Sequence, residues 1–310
     1  MVNIIIVTYN GIKWLDRSIG NLKGQPLISS IIIIDNGSTD GTIEYIQKEL
    51  GFVKLIKNSK NYGFGHSNNQ GLNISLTEDC KYVFLLNQDA WVEEDTLSHL
   101  IKAHEQHNEF GIISPMHLRG DGNALDMKFA TFIAQSENYK FISDLFMDSS
   151  SMGPLYEVSF VNAAAWLITR SCIEKVGGFA PIYHHYGEDM DYANRVLYHG
   201  FRIGICPSAT VHHDRPNAII LPDINKPTDY LSIKKIWNLI YLTDIRHSTA
   251  LRFTKLFFLT TSKCIKSGIR FKFQNSVTYL RESISLVYLA PKVWGNNHKT
   301  KKEGITFLNT

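Results

Sequence analysis

The chain has only four cysteines, Cys80, Cys172, Cys206 and Cys264, and no two form a C-x-x-C pair. Such wide separation suits free thiols in a reducing compartment and offers neither a disulfide framework nor a zinc ribbon. No stretch approaches the roughly 18 uninterrupted apolar residues of a membrane-spanning helix. The start, Met1-Val2-Asn3-Ile4, lacks a basic region, and its apolar run stops at Thr8, so it does not read as a secretory signal. Glycine fingerprints are missing too. No G-x-G-x-x-G follows the first apolar run and no G-x-x-x-x-G-K-[ST] occurs, which argues against a dinucleotide dehydrogenase and a P-loop phosphotransferase. Acidic residues are scarce at one end: from Lys226 onward 15 Lys and Arg face 4 Asp and Glu, leaving residues 1–225 at −8 in a chain of net charge +3. An acidic body with a basic tail points to an anionic surface as partner.

What is present is ordinary in bulk and ordered in detail. With 310 residues, 44% hydrophobic and 20% charged, the chain can form one large soluble domain plus a smaller appendage. Four runs read as buried strands: Asn3 to Tyr9, Ser30 to Ile34, Val53 to Ile56 and Tyr82 to Leu86. Between them Ile12, Leu15, Ile19 and Leu22 recur at helical spacing, as do Ile43, Ile46 and Leu50, and a polar helix is expected over His66 to Leu76. This β-α-β-α-β-α-β order with short links specifies a parallel sheet with helices on both faces. Further on, the pattern predicts a helix over Glu94 to His107 and an irregular loop region from His117 to Gly153. Core structure follows over Phe160 to Ile168, then a helix from Glu188 to Gly200 and a strand over Phe201 to Ile205, with Pro207 to His213 ending the body. Beyond Pro222 three basic amphipathic helices are expected, over Tyr230 to Ala250, Leu251 to Ser267 and Ser276 to Ala290.

Two of the expected strands stop abruptly at acids, in Asp35-Asn36-Gly37-Ser38-Thr39-Asp40-Gly41 and in Asn87-Gln88-Asp89. Open α/β sheets bind their ligands at the carboxyl ends of strands, so both loops should converge on one cleft. Asp89 suits a divalent metal carrying a diphosphate, or else the cap of a following turn. Asp35 can cap its own turn, and Asp40 suits the N-cap of a helix starting near Thr42. Thr8, Tyr9 and Asn10 end the first strand beside them. A nucleotide held by carboxylates and a metal, without a glycine cradle, fits these loops.

With these pieces in order, the sequence resembles the family 2 glycosyltransferases, and most of all their rhamnosyltransferase-like branch. The matching stretches are Ile6 to Asn10, Asp35 to Thr42, Asn61-Tyr62-Gly63-Phe64-Gly65 with Asn69-Gln70-Gly71, and Leu85 to Asp89. Later come Gly177-Gly178-Phe179, Glu188-Asp189-Met190-Asp191 with Arg195, and Pro207-Ser208-Ala209 ahead of His213. The resemblance covers about residues 1–215. It implies the fold class α/β with a GT-A-type, Rossmann-like, mostly parallel sheet flanked by helices, and a C-terminal helical extension. Residues 1–215 would be the catalytic domain, with its nucleotide-sugar half over 1–115 and its acceptor half over 116–215; residues 216–310 would be the helical extension.

The resemblance also implies roles. Thr8, Tyr9, Asn10, Asp35, Asn36, Asp40, Asn61, Gly63, Asn69, Asn87 and Gln88 would line the nucleotide-sugar site. Asp89 and His213 would hold Mg²⁺ or Mn²⁺, with His212 the alternative to His213. The first acid of the family's Asp-x-Asp signature is Asn87 here, which removes one charge from the metal site. Asp189 would be the general base, although an acid there also favours the N-terminus of the helix it opens. Glu188, Asp191 and Arg195 would support it. Trp166 would either stack on an acceptor sugar or pack in the core, and His184, His185 and Tyr186 would line the acceptor side.

The expected activity is inverting, metal-dependent transfer of a sugar from a dTDP-sugar or UDP-sugar, foremost rhamnose from dTDP-rhamnose. The acceptor would be a hydroxyl of a glycan or lipid-linked glycan destined for a cell-surface polysaccharide. Residues 226–302 would touch anionic membrane at the inner face of the plasma membrane, in the cytoplasm. Nucleic acid is disfavoured as partner, because the basic residues alternate with large aliphatics at helical spacing. Alternatives are a UDP-hexose or UDP-galactofuranose-type transferase, and a non-catalytic nucleotide- or glycan-binding relative. A nucleotidylyltransferase would need a glycine-rich basic segment after the first strand, which Asn10-Gly11-Ile12-Lys13 does not supply.

Overall fold

The computed structural model describes residues 1–23, 25–147, 152–215 and 227–308. The first half follows the predicted alternation: β1 (Val2–Thr8), α1 (Ile12–Gly20), β2 (Ile28–Asp35), α2 (Thr42–Glu49), β3 (Lys54–Lys57), α3 (Phe64–Thr77) and β4 (Tyr82–Asn87). These strands pair in parallel in the spatial order β3-β2-β1-β4. Ile4, Ile5, Ile6 and Ile31 to Ile34 are all buried because both faces of the sheet are covered. Burying each such side chain is worth roughly 1.5–3 kcal/mol, which is why these runs nucleate the core.

The second half is a mixed extension of the same sheet. It comprises β5 (Ala90–Val92), α4 (Thr96–Gln106), β6 (Phe110–Arg119), α5 (Met127–Ile133), a short 3₁₀ turn, α6 (Tyr139–Met147), β7 (Tyr156–Val158), β8 (Ala165–Thr169), α7 (Arg170–Val176), α8 (Glu188–Tyr198) and β9 (Arg202–His213). The sheet continues from β4 through β8, β6 and β9 to β5, with β7 also on β9. β8 runs antiparallel to both β4 and β6, whereas β6 and β9 are parallel. This is the GT-A architecture.

Several boundaries differ from the sequence reading. The segment expected to be irregular from His117 onward instead begins inside β6 and then forms α5 and α6. Its polar residues hid a helical stripe, because Phe129 and Ile133 are buried while Met127 is exposed. Residues 148–151 of that segment lie outside the described residues. The core strand expected from Phe160 starts only at Ala165, since Asn162 to Ala164 form a turn closed by Ala164 N–H on Asn162 O at 2.9 Å. β9 is one strand to His213, with its register to β6 shifting between Pro115 and Met116.

The C-terminal region holds α9 (Pro227–Thr243), α10 (Thr249–Ile269) and α11 (Phe273–Thr300). The helix expected to run to Ala250 stops earlier because Asp244 gathers Arg246, His247 and Arg252 into a turn, after which Ser248 caps α10. The change of character expected at Pro222 falls outside the described residues. α9 and α11 meet the body around Ala180 and Tyr183, and the final residues return to it, with Leu308 joining the core beside Phe179 and Tyr192. Among the described residues no helix is long and apolar enough to cross a membrane.

Candidate active site

The sheet brings the ends of β1, β2 and β4 side by side, and the side chains there are mostly engaged with one another. Asp35, at the end of β2, is fully buried. Its carboxylate accepts four hydrogen bonds, from the Thr8 hydroxyl (2.8 Å), the Ser38 hydroxyl (2.6 Å), and the N–H groups of Gly37 (3.0 Å) and Ser38 (2.8 Å). A carboxylate has about four such acceptor positions. Asp35 therefore holds its own turn, and Thr8 is spent on Asp35. Asp40 accepts from the Thr42 hydroxyl and N–H and from Ile12 N–H. Those bonds prevail over the opposing effect of burial and hold its carboxyl below the usual range, as suits a residue fixing the start of α2.

Three more of the expected nucleotide contacts turn out to be clamps. Buried Asn36 accepts from Ser67 (2.6 Å) and Asn58 (3.0 Å), which joins β2's loop to α3. Asn69 donates to Phe179 O (2.9 Å) and accepts from Phe179 N–H (2.7 Å), so it secures the Gly177-Gly178-Phe179 turn. Asn61 caps Gly63 N–H at 2.9 Å. Gly63 has φ of 89°, and a Cβ there would sit 2.4 Å from His184 O. Only glycine permits this loop to lie against the segment that leads to Asp189. Gln88 and Tyr9 bridge β4 and β1 through Tyr9 N–H to Gln88 Oε1 (2.8 Å) and Gln88 Nε2 to Tyr9 O (3.2 Å). Tyr9 and Asn10 remain exposed at the mouth, although Asn10 Oδ1 accepts from Thr39 N–H.

The loop after β4 differs. The Asn87 side chain has no hydrogen bond among the described residues, while its N–H is fixed on Ala164 O at 2.9 Å. Among the described residues the one side-chain partner of the Asp89 carboxylate is His213, whose Nε2 lies 3.3 Å from Asp89 Oδ1. Strand pairing sets this meeting, because β5 and β9 align Ala90 with His213. Behind the imidazole, Nδ1 lies 3.5 Å from Asp126 Oδ2. Asp126 also caps α5 through Phe129 N–H (2.9 Å) and pairs with both Arg215 nitrogens that face it. Burial works against the charged His213, but the two flanking carboxylates outweigh it and raise its pKa. Burial likewise opposes the Asp126 charge, and His213 and Arg215 overcome it to keep that carboxyl well below the usual range. His117, fully buried and hydrogen-bonded to Ser114, is driven down to about 3 by burial and by nearby His213, so it is neutral. His212 points elsewhere: it stacks on Trp91 and reaches Glu93 at 2.6 Å. Of the two histidines, His213 is the one beside Asp89.

Asp89 and, once its ring gives up a proton, His213 would offer one carboxylate and one imidazole side by side, a donor pair suited to Mg²⁺ or Mn²⁺. Among the described residues no group of three or more acidic, histidine or cysteine side chains could hold a metal by itself. The carboxylate without other donors is the observation that makes the pair fit.

Asp189 lies in the first turn of α8, whose start is formed by Gly187 at φ of 95°. It is partly accessible and accepts Met190 N–H at 2.8 Å. Burial raises its pKa, against the N–H groups of Met190 and Ala163 and the charge of Lys128. The turn 162–164 thus bonds both to Asn87, at the end of β4, and to Asp189. Glu188 is buried with Oε2 unpartnered among the described residues, and burial pushes its carboxyl up to about 7. Asp191 and Arg195 form a buried pair at 2.9 Å whose guanidinium also holds Val176 O and Gly178 O. They brace α8 on the glycine turn and do not orient Glu188. Trp166 is fully buried against Tyr192, so its ring packs the core and is closed to a sugar. His184, His185 and Tyr186 are exposed on the approach to Asp189.

Asp126, Lys128 and Arg215 were not singled out from the sequence. A signal existed for the first: Asp126 stands just before the apolar pair Phe129 and Ile133, as an N-cap does. A surface groove of about 400 Å³ lined by Asp79, Tyr82, His104 and Arg170 lies at the opposite end of β4, away from these groups.

The chain is similar to known proteins in sequence and in fold. The family model "Glycosyl transferase family 2" matches residues 3–177. The O-antigen chain rhamnosyltransferase RfbN of Salmonella typhimurium is 24% identical over 68% of this chain and 66% of its own. The N-acetylglucosaminyl-diphospho-decaprenol L-rhamnosyltransferase of Mycobacterium tuberculosis is 24% identical over 79% of this chain and 84% of its own. Among solved structures, the mannosyltransferase PcManGT of Pyrobaculum calidifontis, in complex with GDP-Man and Mn²⁺, superposes with a TM-score of 0.53 at 13% identity, over 93% of this chain and 87% of its own.

Proposed function

The chain belongs to glycosyl transferase family 2, and on that footing we propose an inverting, metal-dependent transfer of rhamnose from dTDP-rhamnose to a hydroxyl of a lipid-linked glycan. The observation that carries this reading is the pairing of a strand-end carboxylate free of other donors, Asp89 against His213, with a second carboxylate, Asp189. Asp189 and Asn87, two residues before Asp89, both bond to the turn 162–164.

Asp89 and His213 would hold the divalent cation, whose chemistry is to neutralise the departing nucleoside diphosphate. Asn87 offers a neutral carbonyl in place of a carboxylate, so the site carries one negative charge fewer. Asp189 receives the proton of the acceptor hydroxyl as that oxygen attacks the anomeric carbon from the face opposite the diphosphate. Burial makes it a stronger base than a free aspartate, and the N–H groups of Met190 and Ala163 fix its orientation. General-base catalysis of this kind contributes roughly two to four orders of magnitude in rate. Tyr9, Asn10 and Asn87 line the donor side, with Asp35, Asp40, Asn36 and Asn61 shaping the loops. His184, His185 and Tyr186 face the acceptor.

The mycobacterial relative, an N-acetylglucosaminyl-diphospho-decaprenol L-rhamnosyltransferase, supports a lipid-linked acceptor. We place the reaction at the cytoplasmic face of the plasma membrane, with the basic helical region as the contact. A panel of dTDP- and UDP-sugars, tested for thermal stabilisation and donor hydrolysis with and without Mn²⁺, checks the donor. Stabilisation by dTDP-rhamnose only with metal is the expected result. A response to UDP-hexose or UDP-galactofuranose instead would move the donor within the family, and no response to either nucleotude class would overturn the reading.

A further inference from the structure

One end of the α10–α11 hairpin contributes none of the residues placed in the candidate site. The other end is docked: Leu286 and Val293 of α11 pack with Leu239, Leu242, Ala180 and Tyr183. At the far end, the turn between the helices presents Ile269, Phe271 and Phe273 at 71%, 80% and 65% exposure. Phe271 has φ of 56°, a left-handed conformation that a bulky residue rarely adopts. Its backbone is fixed there by Phe271 N–H on Gly268 O (3.0 Å) and Lys272 N–H on Ser267 O (2.8 Å). The two phenyl rings meet edge to face at 6.1 Å. Lys266, Arg270 and Lys272 stand among them, and none has an ion pair among the described residues. From Thr249 to Thr300 nine Lys and Arg face a single acid, Glu282, and that acid is buried and bonded to Asn238.

We propose that this turn is a docking point for an anionic phospholipid bilayer. The rings of Phe271 and Phe273 enter the headgroup boundary while Lys266, Arg270 and Lys272 meet lipid phosphates. A second copy of the chain is the poorer occupant, because two such turns would bring cations together with no exposed acid between 249 and 300 to pair with them. The proposal rests on the reading of the C-terminal region as membrane contact and narrows it to one end of one hairpin.

The test is cosedimentation of the full chain with vesicles of phosphatidylcholine alone, or of phosphatidylcholine and phosphatidylglycerol at about three to one. The chain is expected on the mixed vesicles only, and to leave them as salt rises. Phe271→Ser with Phe273→Ser should reduce the bound fraction about tenfold. Lys266→Glu with Arg270→Glu should do the same with the rings intact. Both variants should keep the wild-type melting midpoint and Mn²⁺-dependent nucleotide stabilisation, since these side chains touch no core. Equal binding by wild type and variants, equal binding to neutral vesicles, or a dimer that the substitutions dissolve would overturn the docking. Loss of nucleotide stabilisation in the wild type would instead overturn the sugar-transfer reading and leave the vesicle result standing.

Discussion

The loops after β2 and after β4 both end a buried strand in a carboxylate, yet they are built for different work. Asp35 has four donors from its own chain and no exposure. Asp89 has a histidine for its partner and otherwise open oxygens. The first is a closed hydrogen-bonding unit that fixes the shape of its own turn. The second has one side-chain partner among the described residues, His213, and keeps part of its carboxylate accessible. Position at a strand end brings an acid to the cleft, but what its neighbours leave unsatisfied decides whether it can hold a ligand. The same contrast recurs on α8, where Asp191 is sealed against Arg195 while Asp189 stays partly accessible.

The largest effect should come from the open acid on α8. Asp189→Asn should lower turnover by roughly two to four orders of magnitude while nucleotide-sugar affinity stays unchanged, measured by single-turnover kinetics beside a binding isotherm. Asp191→Asn should instead lower the melting midpoint, because it strands the buried Arg195.

Closing the first loop's account, Asp35→Asn should cost on the order of 3 kcal/mol of stability, since an amide cannot accept all four bonds. A denaturant titration checks this; a stability change no larger than that of Asp89→Asn would erase the distinction between the two loops.

A smaller, pH-dependent effect belongs to Glu188. Its folded pKa of about 7 lies above the ordinary 4.5, so the native state keeps a proton that the unfolded chain releases. The stability this provides is full below the unfolded value and is lost as pH rises through 7. Glu188→Gln should therefore melt with the wild type at pH near 4 and above it at pH near 8, by up to about 3 kcal/mol. A gain of equal size at both pH values would mean that the unpartnered Oε2 and not its charge is responsible.

Much of this was legible in the sequence. The four apolar strands and the acids Asp35 and Asp89 that end two of them are local patterns, whereas Asp189 is singled out only by the family resemblance. The rest depended on contacts that no local pattern encodes. Asn36 and Asn69 look like ligand residues until their partners, Ser67 and the Phe179 main chain, are seen to consume them. Trp166 lies in an alanine-rich run that reads as core before it reads as a sugar platform, and the sheet encloses it. His213 and Asp126 meet from strands and helices far apart in the chain, through β9's pairing beside β5 and the capping of α5. The choice between His212 and His213 is likewise a matter of which face of β9 looks toward Asp89, and sequence adjacency cannot decide it.

We propose that Asp89, with His213, holds the metal and that Asp35 and Asp189 do not. Mn²⁺ binding followed by electron paramagnetic resonance in the presence of dTDP, on the wild type and on Asp89→Ala, Asp35→Asn and Asp189→Asn, addresses it directly. The account expects bound Mn²⁺ in all but Asp89→Ala, where affinity should fall by about 100-fold. Retention of Mn²⁺ by Asp89→Ala, or its loss in Asp189→Asn with the fold intact, would contradict it.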